Sequence, residues 1–138
     1  MAYWLIKSEP GSWSWTDHVK AGIEPWDGVR NHQAANYMKA MTVGDQAFFY
    51  HSVSEKSVVG VVEVVNEFYP DPTDEKGKFV CVDFKAVAEV KRPVSLSEIK
   101  TNPKLENMAL LRQSRLSVMP VADDEWQEIL RMAGGVIT

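Results

Sequence analysis

The chain has 138 residues and a formal net charge of −4, and 45% of its residues are hydrophobic. This length predicts one domain with its own hydrophobic core. The acidic balance argues against a protein that binds phosphates along a broad basic face, and it leaves a local basic pocket open. The apolar runs are too short to span a membrane, and the N-terminal segment lacks the long apolar stretch of a signal peptide. We therefore expect a cytoplasmic protein.

The first half of the chain contains sequence signals for two strands and two helices. In chain order, we predict a strand over 3–7, a helix over 14–21, a helix over 31–41 and a strand over 46–51. Ser14 is followed three residues later by Asp17, which is typical of a capping box at a helix start. Asn31 is a favourable residue for the N-cap of the second helix.

The second half contains signals for three strands and two further helices. We predict strands over 57–65, 79–90 and 115–121, a loop over 69–78, a helix that begins at 95 and ends before 103, and a final helix over 123–135. Ser95 and Glu98 are typical of a second capping box, and Gly134 suits the position just past the end of the final helix. The valine-rich strand 57–65 is apolar on both faces, which favours a central position in the sheet. Gly60 in its middle indicates a bend or a close backbone approach.

This element order predicts an α+β fold. Five or six strands without strand–helix–strand alternation tend to close into a small curved barrel, with short helices at its sides. Cys81 is the only cysteine, which excludes an intramolecular disulfide. Because Cys81 lies in the apolar run "FVCVDF", we expect a buried thiol.

The motifs of common enzyme classes are absent from the sequence. The histidines His18, His32 and His51 have no zinc-binding spacing, and there is no G-x-S-x-G, P-loop or G-x-G-x-x-G motif. We therefore expect no metal, no cofactor and no catalytic residue.

Tryptophan is abundant and concentrated near the N-terminus. Four of the five tryptophans fall within the first 26 residues, and aromatic residues at this density fill a core or line a binding cavity. Trp26 is followed by an Asp-Gly turn and then by Arg30 and Asn31. Two of these residues also have a purely structural interpretation. Trp26 could be an ordinary core residue, and Asn31 could serve only as the N-cap of a helix. The same holds for His51 as a strand-end residue and for Arg112 as a member of a salt bridge.

An ordered series of motifs resembles the EVE domain family, which belongs to the PUA-like superfamily and is similar to the YTH and ASCH domains. The motifs are "WLIKSEP", "WDGVRNHQA", "GDQAFFYHS", "VVGVVEVVNEFYPDPT", "VDF", "PVSLSEIK" and "LLRQSRLSVMPV…EW". The resemblance extends from residue 3 to about 130 and implies a single EVE domain, over 1–138, with a PUA-like curved barrel. It also implies a reader of modified bases in DNA or RNA, with modified cytosine in DNA as the favoured ligand. Related YTH domains read N6-methyladenine in RNA through an aromatic cage.

The implied mechanism is recognition of a flipped base in an aromatic pocket, without chemistry on the base. Trp26 is the expected stacking face, and Tyr50 or Tyr69 is the expected second wall. The expected readers of the base edge and its substituent are Ser8, Asn31, His51 and Ser52. The expected phosphate contacts are Lys7, Arg30 and Arg112. Trp26, Asn31 and His51 should then line one concave pocket.

Two other functions stay open at this stage. One is a sensor of a free nucleoside-like small molecule, which the acidic charge favours. The other is an enzyme of RNA or base modification. Salt dependence separates the first alternative from an oligonucleotide reader, because only the reader releases counterions. The sequence does not determine the oligomeric state, and we take a monomer as the expectation.

Overall fold

The protein has a mixed sheet of six strands surrounded by short helices. The computed structural model describes residues 1–137. The strands are β1 (Tyr3–Ser8), β2 (Ile23–Pro25), β3 (Gln46–His51), β4 (Ser57–Pro70), β5 (Val80–Ser95) and β6 (Val118–Val121). The helices are α1 (Trp15–Ala21), α2 (His32–Ala40), α3 (Leu96–Thr101), α4 (Ala109–Arg112) and α5 (Asp123–Ala133), and a 3₁₀ turn covers Pro103–Leu105. The strand order is β2-β5-β4-β3-β1-β6.

The sheet contains one parallel pair, which sequence patterning did not predict. β1 pairs with β3 in parallel, and the other neighbours are antiparallel. The β1–β3 connection carries α1, the unpredicted three-residue β2, and α2. Parallel neighbours need a long crossover of this kind, whereas antiparallel neighbours need only a turn. The expectation of no strand–helix–strand unit is therefore wrong at this crossover.

The sheet curves around α2. This helix packs against β4, β5 and β6, although three strands separate β5 from β6 in the sheet order. A flat sheet would hold these two strands too far apart to contact one helix. Four register shifts between β4 and β5 bend the sheet further. The predicted α+β fold with a curved sheet is confirmed.

The local start and stop signals are confirmed. Ser14 and Asp17 form a capping box at α1, and Ser95 and Glu98 form another at α3. Gly134 ends α5 in the left-handed conformation, with φ of 73°. The short side chains and backbone freedom of these positions suit the cap geometry, so sequence alone located them.

Strand lengths deviate from the sequence prediction. β4 and β5 continue five residues beyond the predicted ends, to Pro70 and Ser95, because they pair with each other along nearly their whole length. The last strand begins only at Val118, since residues 113–117 run as turns. The four-residue α4 has no cap side chain and was not predicted.

Gly60 provides a close backbone approach, as the sequence suggested. The indole of Trp15 lies over Gly60, and a Cβ atom there would be 2.6 Å from the indole ring. Cys81 is buried as a free thiol. Among residues 1–137, no helix is long and apolar enough to cross a membrane.

Candidate functional site

A cleft of about 430 Å³ opens where β1 ends, beside the turn that follows it and the segment after β2. We call it the Trp26 cleft. The residues that line it include Lys7, Ser8, Trp13, Trp26, Arg30 and Ser117. Four of these residues, all except Trp13 and Ser117, are among the site residues that the sequence suggested. The cleft thus combines aromatic, hydroxyl and cationic side chains at one place.

Trp26 forms the floor of this cleft and also belongs to the core. Its backbone N–H donates to the Val82 carbonyl at 2.8 Å. Its ring lies edge-to-face with Phe49 and Phe84, at centroid distances of 5.6 and 6.1 Å. Only 9% of the residue is exposed, and that part lines the cleft. The two alternatives for Trp26, core residue and cavity wall, therefore both hold.

Trp13 is the second aromatic side chain of the cleft, and sequence analysis did not single it out. Its indole N–H donates to Nδ1 of His18 at 3.1 Å. The Nε2–H of His18 donates to the Phe84 carbonyl at 2.9 Å, and its ring lies 5.9 Å from that of Trp26. The clustering of four tryptophans near the N-terminus was the available signal for Trp13.

His18 connects the two tryptophans of the cleft as a neutral imidazole. It is fully buried, and this burial lowers the pKa of His18, against the opposing effect of the Phe84 carbonyl. A second ring proton would face the indole N–H of Trp13, so only the neutral tautomer satisfies both hydrogen bonds. The orientation of Trp13 is thereby fixed from inside the core.

Asp71 holds the segment that carries Trp26 and Arg30. Its buried carboxylate accepts from the Gly28 N–H at 2.8 Å, from Arg30 at 3.1 Å and from the Thr73 hydroxyl at 2.6 Å. Burial alone would raise the pKa of Asp71, but the hydrogen bonds from Thr73, Gly28 and Arg30 outweigh it and lower the pKa to about 2. Gly28 has a positive φ of 78°, which a glycine adopts without strain. The turn after Trp26 is therefore fixed by an ionised acid from the β4–β5 loop.

We expect Asp71→Asn to lower the free energy of unfolding at pH 7 by about 1–3 kcal/mol. The amide has only one acceptor oxygen, and its NH₂ group would face hydrogen-bond donors that now bind the carboxylate. The folded-state pKa lies below the ordinary value of 3.8, so this carboxylate stabilises the fold above pH 3.8 and loses that effect as pH falls toward 2. The difference between the variant and the wild type should narrow over that window.

Urea denaturation at a series of pH values measures this difference. Glu75→Gln, in the same loop and exposed, is the control and should change the free energy of unfolding little. If the difference in free energy of unfolding between Asp71→Asn and the wild type stays constant down to pH 2, the ionised Asp71 carboxylate does not stabilise this turn.

The two cations of the Trp26 cleft differ in how far they are neutralised. Arg30 is paired with Asp71 at 3.1 Å and remains 40% exposed. Its guanidinium lies 5.5 Å from the ring centroid of Phe79. The ammonium of Lys7 donates to the Ser114 carbonyl at 2.8 Å and has no carboxylate partner among residues 1–137. Partial burial lowers the pKa of Lys7. Lys7 is thus the less compensated of the two charges.

The side chains of Asn31 and His51 do not join Trp26 in one pocket. The Oδ1 atom of Asn31 accepts from the Ala34 N–H at 2.9 Å and caps α2. His51 lies beside Ser8 in the β1–β3 register, but its Nε2 accepts from the Trp15 N–H at 3.0 Å. Its Nδ1–H then donates to Glu55. The expected single pocket of Trp26, Asn31 and His51 is wrong, because backbone capping and a buried hydrogen bond hold the other two elsewhere.

Both tyrosines suggested as second walls also lie outside the Trp26 cleft. Tyr50 is buried in the core, and this raises its pKa to about 12. The hydroxyl of Tyr69 donates to Asp83, which raises the pKa of Tyr69 far above its usual range. The expectation that Tyr50 or Tyr69 forms the second aromatic wall is therefore wrong. The second aromatic side chain that lines the cleft is Trp13.

The two serines have different positions. The hydroxyl of Ser8 donates to the Trp13 carbonyl, so its oxygen lone pairs remain available as acceptors in the Trp26 cleft. Ser52 does not line the cleft; its backbone N–H donates to the Ser8 carbonyl at 2.9 Å. Ser52 therefore supports the end of β1 and lies outside the cleft in which we expected it to contact a base.

A second cleft of about 390 Å³ is lined in part by chain neighbours of residues in the first. It is lined by Asn31, Gln33, Arg112, Gln113, Ser114, Arg115 and Leu116, and we call it the Arg112 cleft. Arg112 is the third suggested phosphate contact. Its guanidinium donates to Asn107 at 2.9 Å and forms no ion pair within the part of the chain that the structure describes.

A larger cleft of about 660 Å³ lies across α1, β2 and β5. Its walls include the exposed apolar residues Val19, Ile23 and Val87, and it contains none of the suggested site residues. We place the candidate site in the Trp26 cleft, because aromatic rings, hydroxyl groups and cations meet there. No cluster of three or more metal-ligating side chains occurs in residues 1–137.

Comparison with protein families gives a match over most of the chain. The EVE domain model matches residues 2–132. The chain belongs to the EVE domain family. This agrees with the resemblance drawn from the ordered motifs.

Several relatives of this EVE domain have known names or structures. Rpa0253 from Rhodopseudomonas palustris is 53% identical, with a TM-score of 0.92 over 97% of this chain and 94% of that chain. Chicken (Gallus gallus) thymocyte nuclear protein 1 is 38% identical over 94% of this chain and 68% of its own length. Human THYN1 protein, crystallised in complex with 5-methylcytosine-containing DNA, is 34% identical, with a TM-score of 0.88 over 96% of this chain and 98% of that chain.

A distant structure has the same fold. An ASCH protein from Zymomonas mobilis aligns with a TM-score of 0.59 at 13% identity, over 96% of this chain and 99% of that chain. At this identity the similarity concerns the fold alone. It agrees with the similarity to ASCH domains that the sequence resemblance implied.

Proposed function

We propose that this EVE domain is a non-catalytic module that reads a modified nucleobase, and that its favoured ligand is a modified cytosine in DNA, flipped into the Trp26 cleft. The observation that carries the proposal is the meeting of Trp13, Trp26 and the Ser8 hydroxyl in one cleft, with Lys7 and Arg30 at its sides. The human relative crystallised with 5-methylcytosine-containing DNA supports this ligand class.

The dimensions and chemistry of the cleft suit a flipped base. Its volume of about 430 Å³ lies in the usual range of small-molecule sites. Flipping a base out of the stack costs a few kcal/mol, and stacking on an aromatic side chain returns about 1–3 kcal/mol per base. Trp26 as floor and Trp13 as wall offer such contacts. The Ser8 oxygen can accept a hydrogen bond from an exocyclic amino group.

The charge of the protein favours selection by the base over general attraction to nucleic acid. With a net charge of −4, the protein as a whole does not attract an unmodified polyanion, and attraction is confined to local cations such as Lys7 in the cleft. The free energy of binding must then come largely from the base itself. A weak attraction to the phosphate backbone suits a reader of a rare modification, because unmodified sites then compete weakly for the protein.

The contacts of Ser8 support a role without catalysis. Its hydroxyl donates to the Trp13 carbonyl, whereas a nucleophilic serine donates to a general base that accepts its proton. Within residues 1–137, no cluster suited to a metal lies at the cleft either. The cleft therefore supplies shape, stacking and hydrogen bonds.

Fluorescence-anisotropy titration of short labelled oligonucleotides tests the proposal. The probes carry 5-methylcytosine, 5-hydroxymethylcytosine or N6-methyladenine in DNA or RNA, with unmodified controls, at two salt concentrations. We expect a preference of about tenfold, or about 1.4 kcal/mol, for one modified base. Trp13→Ala removes a half-buried wall and should reduce that preference. Equal affinity for modified and unmodified strands would contradict the proposal.

A free nucleoside is a second candidate ligand, and the acidic side of the cleft favours it. Glu9, Glu24 and Asp27 line the Trp26 cleft and would repel phosphate but not a neutral nucleoside. In that case a modified nucleoside should bind as tightly as the matching oligonucleotide. Its affinity should also be nearly independent of salt.

A further inference from the structure

The Trp26 cleft and the Arg112 cleft are lined by neighbouring residues of the chain, and Lys7 connects them. The first cleft is lined by Arg30 and Ser117, and the second is lined by their chain neighbours Asn31 and Leu116. Lys7, which lines the Trp26 cleft, also contacts the segment that lines the Arg112 cleft. Its backbone N–H donates to the Ser117 carbonyl at 2.9 Å, and its ammonium donates to the Ser114 carbonyl at 2.8 Å.

The arginines of the Arg112 cleft differ from the other arginines of the chain. The chain has five arginines. Arg30, Arg92 and Arg131 each form an ion pair with a carboxylate. Arg112 and Arg115 have no such partner among the described residues, and both are exposed in the same cleft. Two uncompensated guanidiniums side by side in an acidic protein indicate an anionic ligand.

The Trp26 cleft and the Arg112 cleft differ in their acidic residues. Its acidic residues are Glu9, Glu24 and Asp27. The Arg112 cleft has no acidic lining residue; besides Asn31 and its two arginines it presents Gln33, Gln113 and Ser114. A phosphodiester chain leaving a base in the Trp26 cleft is therefore attracted toward the Arg112 cleft and repelled by the carboxylates of the Trp26 cleft.

We propose that the Arg112 cleft binds the phosphates of the nucleic-acid strand on one side only of the flipped base, through Arg112 and Arg115. This inference rests on the proposed function and adds the position and the direction of the strand. Guanidinium groups match phosphate oxygens with paired N–H donors. Gln33 and Gln113 line the same cleft and add uncharged polar groups beside the two arginines. Arg112 keeps its contact with Asn107 through one nitrogen and has donors left for a phosphate.

The first test is the double variant Arg112→Gln with Arg115→Gln. Both side chains are exposed, so the thermal unfolding midpoint should be unchanged. We expect the affinity for a modified oligonucleotide at low salt to fall about tenfold or more. The slope of log K against log salt should decrease by about 1.8 for a duplex or about 1.4 for a single strand. The free modified nucleoside, which has no phosphate, should bind the variant and the wild type equally.

A matched control removes two cations elsewhere. Lys39 and Lys100 are exposed, form no ion pair in the described chain and line neither cleft. Lys39→Gln with Lys100→Gln should leave the salt slope and the oligonucleotide affinity nearly unchanged. An equal loss in both double variants would overturn the proposal, because the effect would then reflect net charge alone.

The second test uses two isomeric trinucleotides with the modified base at the 5′ end or at the 3′ end. We expect one isomer to bind several-fold more tightly, and the double variant should abolish this difference. Equal binding of both isomers by the wild type would overturn the one-sided phosphate contact. So would a difference between the isomers that persists in the double variant.

The outcomes separate this inference from the proposed function. A modified-base preference with unchanged affinity in the double variant would retain the reader and overturn the phosphate cleft. Strands bound without base preference, but weakened in the double variant, would overturn the reader and support the phosphate cleft.

Discussion

Trp26→Ala is expected to lower the free energy of unfolding by about 3–5 kcal/mol, the usual cost of removing a buried tryptophan, and to abolish the preference for a modified base. Trp26 is only 9% exposed. Its ring packs against His18, Phe49 and Phe84 at centroid distances of 5.6–6.1 Å. The same side chain forms the floor of the cleft. Core packing and ligand contact are therefore lost together.

A second buried tryptophan separates these two effects. Trp4 is 6% exposed and lies outside the cleft; its indole N–H donates to Asp45 at 3.1 Å. Trp4→Ala should destabilise the fold to a similar extent and retain the base preference. Urea denaturation and anisotropy titration, at a temperature where both variants are folded, measure the two quantities. A full base preference in Trp26→Ala would move the site away from this cleft.

Gly60→Ala is expected to lower the free energy of unfolding by about 1–3 kcal/mol, in the range of overpacked cores. The added Cβ would lie 2.6 Å from the indole of Trp15. That indole cannot move away freely. The ring lies edge-on to Phe49 at 5.4 Å, and its N–H donates to Glu89 at 3.3 Å. The backbone N–H of Trp15 also donates to His51 at 3.0 Å, which holds the residue in place. Without the clash, alanine would suit a strand interior better than glycine.

Gly11→Ala is the control for this prediction. A Cβ at Gly11 meets nothing within 4 Å, and its backbone is not in the left-handed region. This variant should leave stability unchanged or slightly higher, because alanine restricts the unfolded chain. The urea midpoints of the two variants give the comparison. Equal midpoints would show that Trp15 yields to the new methyl group.

Local sequence determined much of the fold of this EVE domain. Capping signals at Ser14, Asn31 and Ser95 located three helix starts, and the valine-rich run around Gly60 located the central strand. These features depend on residues within one turn of helix or on alternation along one strand. Such information is complete within a few neighbouring residues.

The candidate site was predictable only in part. Lys7, Ser8, Trp26 and Arg30 were suggested by sequence and do meet in one cleft. Trp13 was passed over, because nothing local distinguishes a wall tryptophan from a core tryptophan. The family resemblance indicated the class of ligand but not which side chains meet.

The sequence by itself determined the order of the longer elements, the caps of three helices, the buried thiol and the family, but not the short β2 and α4. Only the tertiary structure decided which polar side chains have a ligand-facing position. His51 and Asn31 are occupied by Trp15 and by the start of α2. Asp71, which belonged to a plain polar loop in the sequence, clamps Gly28 and Arg30 from more than 40 positions away. Hydrogen bonds between distant segments depend on how the curved sheet brings its strands together, and no pattern within a single segment specifies that.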